Sequence, residues 1–453
     1  MPLRPAVHVS PPAGWLNDPN GLVRHEGIWH AFYQHVPDAD VPGPMHWGHA
    51  TSTDLVTWTD RPVALRPSAL GAVFSGSIVV DHDGLAGFGE RALVAIHTHH
   101  RSDRECQSVA GSTDGGLTWT GHWANPVLTS DLPDFRDPKV WRDDRPELAE
   151  APWVMALAAG RDVLFFRSRD LLDWQPTGRW AVPPELPGIV ECPDVIQLTG
   201  AGGTSSDALI VSVNDGDGGA CHAALGTFDG LSFVDAGRPV RLDIGPDFYA
   251  PQSFHSAPGA PVVMAWVGNW RTAALQPSDG WRGVLSFPRR LGLGDRAGSP
   301  TITQRFAVEP WSGAPRIEAA TVRSAPAVAF HATLGSSAGL DIDGAVGPAL
   351  QVTRRGEELS IRWDDPVEGE QHRQVRLDAS IVEALVDHGV VELLGGGGPS
   401  MSVRWFGGRE WSIATSGDVE LRAVGGGGRA VRRGPGTGAS GAGQPVNAPT
   451  RSA

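Results

Sequence analysis

The 453-residue chain is 41% hydrophobic and 19% charged, which supplies ordinary cores, and its length fits two domains better than one. Its net charge of −14 argues against general nucleic-acid binding, and no apolar run is long enough to cross a bilayer. Three cysteines, Cys106, Cys192 and Cys221, form no CxxC pair and cannot all be bridged, which suits a reducing compartment.

The first twelve residues, MPLRPAVHVSPP, hold no apolar stretch of signal-peptide length. The chain as written is therefore expected in the cytoplasm, or outside the cell if a leader has been trimmed from it. WLNDPNG (Trp15 to Gly21) then reads as a tight turn set by Pro19 and Gly21. It presents Asp18, with Asn17 and Asn20 as hydrogen-bond donors that keep the carboxylate ionised.

Four similar segments follow: STDLVTW from Ser52, STDGGLTW from Ser112, SRDLLDW from Ser168 and TFDGLSF from Thr227. Their aspartates, Asp54, Asp114, Asp170 and Asp229, lie 60, 56 and 59 residues apart. Each segment is a hairpin signal, because an Asp after Ser or Thr can bond its own backbone to close the turn, Gly supplies positive φ in two of the four, and the next aromatic restarts a strand. A period of that length fits one four-stranded propeller blade with its loops.

Further motifs keep step with this repeat. Ser75 of FSGS lies 21 residues after Asp54, Asp137 of FRDPKV 23 after Asp114, and Glu191 of ECPDV 21 after Asp170. DFYAPQSF (Asp247 to Phe254) follows Asp229 by a similar interval. One place in successive blades, the innermost strand, would gather all of them around a central pocket. Five such places predict five blades, the fifth closed with WRGVLSFPRRL (Trp281 to Leu291). Ile189, Val190, Cys192 and Pro193 flank Glu191, and predict an apolar pocket that makes its carboxyl an effective acid.

The histidines His97, His99 and His100 bear on metal binding. His97 and His99 would share one strand face without the acidic or Cys partners of a closed site, so no metal is expected. Past about Pro310 the repeat stops, and short alternating strands such as LSIRW (Leu359 to Trp363) and MSVRW (Met401 to Trp405) predict a small β-sandwich. The expected division is an all-β chain with a five-bladed β-propeller over 1–308, a C-terminal β-sandwich over 309–423 and a disordered Gly/Ala/Pro-rich tail over 424–453.

Three in-phase carboxylates suggest glycosidic chemistry. An oxocarbenium-like transition state needs negative charge on one face of the sugar and a proton at the leaving oxygen. WLNDPNG, FYQH (Phe32 to His35), WGHATSTDLVTW, FSGS, FRDPKV, ECPD, DFYAPQSF and WRGVLSFPRRL together resemble, in order, the signatures of glycoside hydrolase family 32. These are the β-fructofuranosidases: invertases, exo-inulinases and levanases. The likeness is close from about His8 to Leu291 and looser to about Ala423, where RLDASIVEALVDHGVVEL (Arg376 to Leu393) resembles a strand pair of the family's C-terminal sandwich.

The resemblance implies roles. Asp18 would be the nucleophile, Glu191 the general acid and base, and Asp137 the stabiliser of the transition state. Asn17, Gln34, Trp47, Phe74, Ser75, Arg136 and Trp281 would line the fructose subsite. It also implies a retaining hydrolase that needs no cofactor and acts on terminal fructose of fructans, fructo-oligosaccharides or sucrose. Partners from nucleic acid or membrane are not expected, and the oligomeric state is not legible. Three alternatives stay open at this stage: a fructosyltransferase using the same intermediate, a sialidase, and a non-catalytic fructan-binding protein. A sialidase would need a Tyr nucleophile, and the chain has only Tyr33 and Tyr249.

Overall fold

A computed structural model describes residues 4–424, apart from 297, 315, 318–321, 324–328, 345–349, 377–380, 396–397, 399 and 408–410. Five antiparallel sheets follow one another along the chain. Their innermost strands are Gly14–His25, Ala72–Asp81, Arg136–Arg142, Ile189–Thr199 and Tyr249–Ser253, and these open blades I to V. The successive strands of each blade then run outward.

Alternation along the strands packs the blades. In Trp153–Ala159, Trp153, Met155 and Leu157 join blade II, while Val154, Ala156 and Ala158 join blade IV. A buried strand whose two faces both meet apolar neighbours reads as a continuous hydrophobic run, and all seven of its residues are buried. Separate apolar clusters fill the remaining seams, with Phe32, Trp47 and Ile78 between blades I and II and Trp15, Met264 and Trp266 between V and I.

The ring closes through the expected segment. Trp281–Arg282 pairs in parallel with Gly14–Trp15, the Leu285 N–H donates to the Val9 carbonyl, and Arg289–Arg296 becomes the third strand of blade V. WRGVLSFPRRL thus joins the first blade to the fifth instead of lying within the fifth alone.

The four predicted hairpins connect the third and fourth strands of blades I to IV. In each, an aspartate Oδ1 accepts two backbone N–H groups: Asp54 from Val56 and Thr57, Asp114 from Leu117 and Thr118, Asp170 from Leu172 and Asp173, Asp229 from Leu231 and Ser232. Where glycine is missing from the turn, Leu55 (φ 64°) and Leu171 (φ 68°) take the left-handed conformation themselves.

The C-terminal region is a β-sandwich. Its two longest strands, Ala329–Gly344 and Trp411–Val424, pair along their length and break register between Leu334 and Ala338. Before the break Ala329–Gly344 pairs with Val382–Asp387, and after it with Leu350–Arg355, so one strand serves both layers. Leu340, Val352, Ile361 and Trp363 from one layer meet Phe330, Val386, Leu393 and Val403 from the other. Val424, the first residue of the predicted tail, is instead the buried end of strand Trp411–Val424, and the rest of the tail lies outside the described residues. No helix among the described residues is long and apolar enough to cross a membrane.

Candidate active site

All five inner strands break register at the same level. The ladder steps over residues 17–18, 74–75, 137–138, 192–193 and 250–251. A bulge leaves residues unpaired and turns their side chains from the sheet face, here toward the propeller axis. Pro138, Pro193 and Pro251 occupy three of these steps, where a missing N–H costs no ladder bond. Asp137 (φ 63°), Cys192 (φ 49°) and Ala250 (φ 50°) take positive φ.

This geometry corrects two expectations about the motifs. WLNDPNG is no tight turn but part of the continuous bulged strand Gly14–His25. Gly21 is needed for closeness, since a Cβ there would meet the Ile78 side chain at 2.6 Å. The motifs also do not place all their carboxylates equivalently. Asp18 and Asp137 stand within their bulges, whereas Glu191 is the last paired residue before its own, as Arg136 and Tyr249 are in blades III and V.

That shared position brings three blades together at Glu191. Its Oε2 accepts the Tyr249 hydroxyl at 2.5 Å and the Asn214 amide at 3.4 Å, and its Oε1 faces Arg136 at 3.3 Å. The predicted apolar pocket is therefore absent. Val190 faces the core between blades III and IV, because successive side chains of a strand point to opposite faces. Arg136 also binds Asp134 and Glu105, each at 2.9 Å.

Asp18 and Asp137 are both buried. Asp18 Oδ2 accepts from Ser75 at 3.2 Å, and Asp137 Oδ2 accepts the Cys192 N–H at 3.0 Å. The Cys192 thiol lies 3.5 Å from Asp137 and 3.9 Å from Asp18, so it touches both. Burial, reinforced by the charges of Asp137 and Glu191, pushes Asp18 up to about 8. Burial raises Asp137 to about 7 against the pull of Arg136. The expectation of a plainly ionised Asp18 is thus reversed: Asn20 donates to the Asp18 main-chain carbonyl, and the donors on its carboxylate do not offset desolvation. A cluster that retains protons near neutrality can offer one carboxyl as an acid beside another as an anion.

The other predicted residues surround this group. Asn17 bonds the Trp15 indole, and the Trp47 indole donates to the Phe74 carbonyl at 3.0 Å. Phe74 stacks on His100 with centroids 4.1 Å apart. Gln34 is buried, and its Nε2 has no partner among the described residues, as is true of Asp18 Oδ1. Such atoms are suited to a ligand's hydroxyls. Trp281 instead joins Val267, Val284 and Val390 in a separate apolar cluster, with the Arg4 guanidinium 4.5 Å over its ring. Tyr249 and Asn214 are absent from the predicted set. Tyr249 was within reach, since DFYAPQSF is in phase with ECPDV; Asn214 is found only through the pairing of its strand.

Comparison with known proteins follows the same division of the chain. The model of the glycosyl hydrolases family 32 N-terminal domain matches residues 8–304. A levanase of Bacillus subtilis is 40% identical over 306 residues, 64% of this chain and 45% of the levanase. An extracellular exo-inulinase of Meyerozyma guilliermondii is 36% identical over 323 residues, 66% of this chain and 60% of its own length. The chain thus spans about half the length of these relatives. The structure of a fructofuranosidase from Schwanniomyces occidentalis complexed with fructose superposes with a TM-score of 0.81, covering 93% of this chain and 98% of that one, at 24% identity, a likeness of fold.

Proposed function

The chain belongs to glycosyl hydrolase family 32, and on that premise we propose that it is a retaining β-fructofuranosidase releasing terminal fructose from fructans, fructo-oligosaccharides or sucrose. The observation that supports this most is the convergence of Asp18, Asp137 and Glu191 from three blades on one axis, with the Cys192 thiol touching both aspartates and Arg136 bonded to Glu191.

In this reading Asp18 attacks the anomeric carbon of fructose while Glu191 gives a proton to the leaving oxygen. The covalent fructosyl-enzyme is then opened by water, from which Glu191 takes a proton. The reactive distribution has charge on Asp18 and the proton on Glu191. Asp137 holds fructose hydroxyls as positive charge develops on the ring, with its carboxylate fixed by the Cys192 N–H. Arg136 and Tyr249 orient Glu191 from either side. Asn17, Gln34, Trp47, Phe74 and Ser75 form the walls that bind the ring. The levanase and the exo-inulinase support a fructan substrate, and sucrose offers the same terminal fructosyl group.

Product analysis by anion-exchange chromatography tests the proposal, with purified protein given sucrose, inulin and levan separately. Free fructose released from polymer ends, or in equal amounts with glucose from sucrose, is the expected result. An excess of glucose over fructose would identify a transferase, and no release from any substrate would remove the hydrolase reading. Asp18→Ala and Glu191→Ala should each abolish turnover while leaving the circular dichroism spectrum unchanged.

A further inference from the structure

A second cavity of about 590 Å³ lies between blades I and II, apart from the carboxylates. Its size fits a small ring-shaped molecule. Among the described residues no Asp or Glu lines it, although the chain holds 51 of them. The lining offers Arg66, Ser68, His97, His99, Trp119 and His122.

Several of the polar groups there are uncommitted. His97 is 97% buried, its Nδ1 has no partner among the described residues, and burial holds its pKa well below the ordinary value. A neutral imidazole is one donor and one acceptor, so this ring is matched to a hydroxyl rather than to an anion. The Nδ1 of His122 accepts the Ala124 N–H, which leaves its Nε2 as a donor when the ring is neutral. Arg66 is exposed and forms no ion pair among the described residues. Trp119 contributes part of an indole, and Trp123, 90% exposed, stands beside His122 on the following turn.

Other ligand classes fit less well. Both nitrogens of His99 are taken by Ser68 and Ser108, and no His, Cys, Asp and Glu group among the described residues could hold a metal ion. An anion would find one cation, and that one in solvent. Scattered donors and acceptors beside an aromatic face are what a sugar ring requires, since its hydroxyls need both and its C–H face stacks on indole.

We infer that this cavity is a second sugar-binding site, taking a single hexose unit of an oligosaccharide or of sucrose. The choice of sugar rests on the proposed function; the presence of a polyol site does not. The site shares a wall with the first. His97 lies edge-on to Trp47 at 5.9 Å, and Trp47 in turn bonds the Phe74 carbonyl.

Calorimetric titration of Glu191→Gln protein with sucrose, where turnover is stopped, tests the assignment. Two sites are expected. Arg66→Ala added to this background should weaken one site by about tenfold or more and leave the other unchanged. Trp119→Phe, which keeps an aromatic ring in the packing, should weaken the same site. A single site that neither change weakens, or two sites indifferent to both changes, would overturn the inference, as would heat from inorganic phosphate that Arg66→Ala removes and sucrose does not compete with. Binding lost at the central site alone would count against the fructosidase reading and leave this one standing.

Discussion

Asp18 sits where a carboxyl group is costly to ionise. Its pKa moves from 3.8 to about 8 through burial and the charges of Asp137 and Glu191. The folded chain therefore keeps a proton that the unfolded chain releases above pH 3.8, and stability falls as pH rises from there through about 8. Asp18→Asn removes the titration, so the variant should gain melting temperature over the wild type, by more near neutrality than at acid pH, while losing activity. Scanning calorimetry at several pH values checks this, and a gap that shrinks as pH rises toward 8 would refute it. Tyr249→Phe should lower kcat by tenfold or more, roughly the loss of one charge-assisted hydrogen bond, with KM nearly unchanged. Steady-state kinetics separates the two parameters. The identities of these carboxylates were legible because their motifs are in phase with the repeat. Their surroundings were not, because Glu191 meets Arg136 and Tyr249 across blades while Val190 beside it faces a core.

At the scale of the element, the aspartate hairpins were readable in full, since each bond runs from a side chain to a backbone N–H two to four residues on. Asp170 accepts from Leu172 and Asp173 at 2.9 Å each. Asp170→Ala removes both, and about 1–2 kcal/mol of stability should be lost, measurable as a shift in urea midpoint with unchanged m-value. The bulges were less legible. A motif such as Arg-Asp-Pro reads as a turn by itself, yet its Asp137 and Pro138 lie between the paired residues Arg136 and Lys139, which makes it a kink in a strand. The deciding information is the register against a second strand, which a local window does not contain. The strand that serves both layers of the sandwich escaped for the same reason. Nothing in Ala329–Gly344 marks the change of partner at residues 334–338 except the register itself.

Across the whole molecule, propeller and sandwich meet through buried charge. Arg289 of blade V is fully buried, bonds Glu392 of the sandwich, and lies 3.1 Å from Asp243 of the propeller. Ser400 and Ser402 also donate to Asp243. Breaking such a pair leaves a buried charge without a partner and costs about 3–5 kcal/mol. Arg289→Ala should therefore lower the thermal transition sharply, and a change within experimental error would show the network to be idle. Paired in sequence at a separation of 103 residues, these groups carry no local signal of their meeting.

The N-terminal segment joins the same network through His8, whose ring lies 2.9 Å from both Asp387 and Glu392. Burial alone would lower its pKa, but the hydrogen bonds and charges of the two carboxylates prevail and raise it from 6.5 to about 9. The folded chain thus holds a proton that the unfolded chain gives up above pH 6.5. The stabilisation is fully present below that value and is lost as pH rises through about 9. His8→Gln keeps a polar side chain of similar reach but no charge. It should be less stable than the wild type at mildly acidic pH, by several kcal/mol at most, with the difference narrowing as the wild type deprotonates on the alkaline side. Urea unfolding of both proteins across that range measures the difference directly. A gap that stays constant from acid to alkaline pH would mean that His8 acts by packing against Phe287, its aromatic neighbour at 6.1 Å, and not by charge.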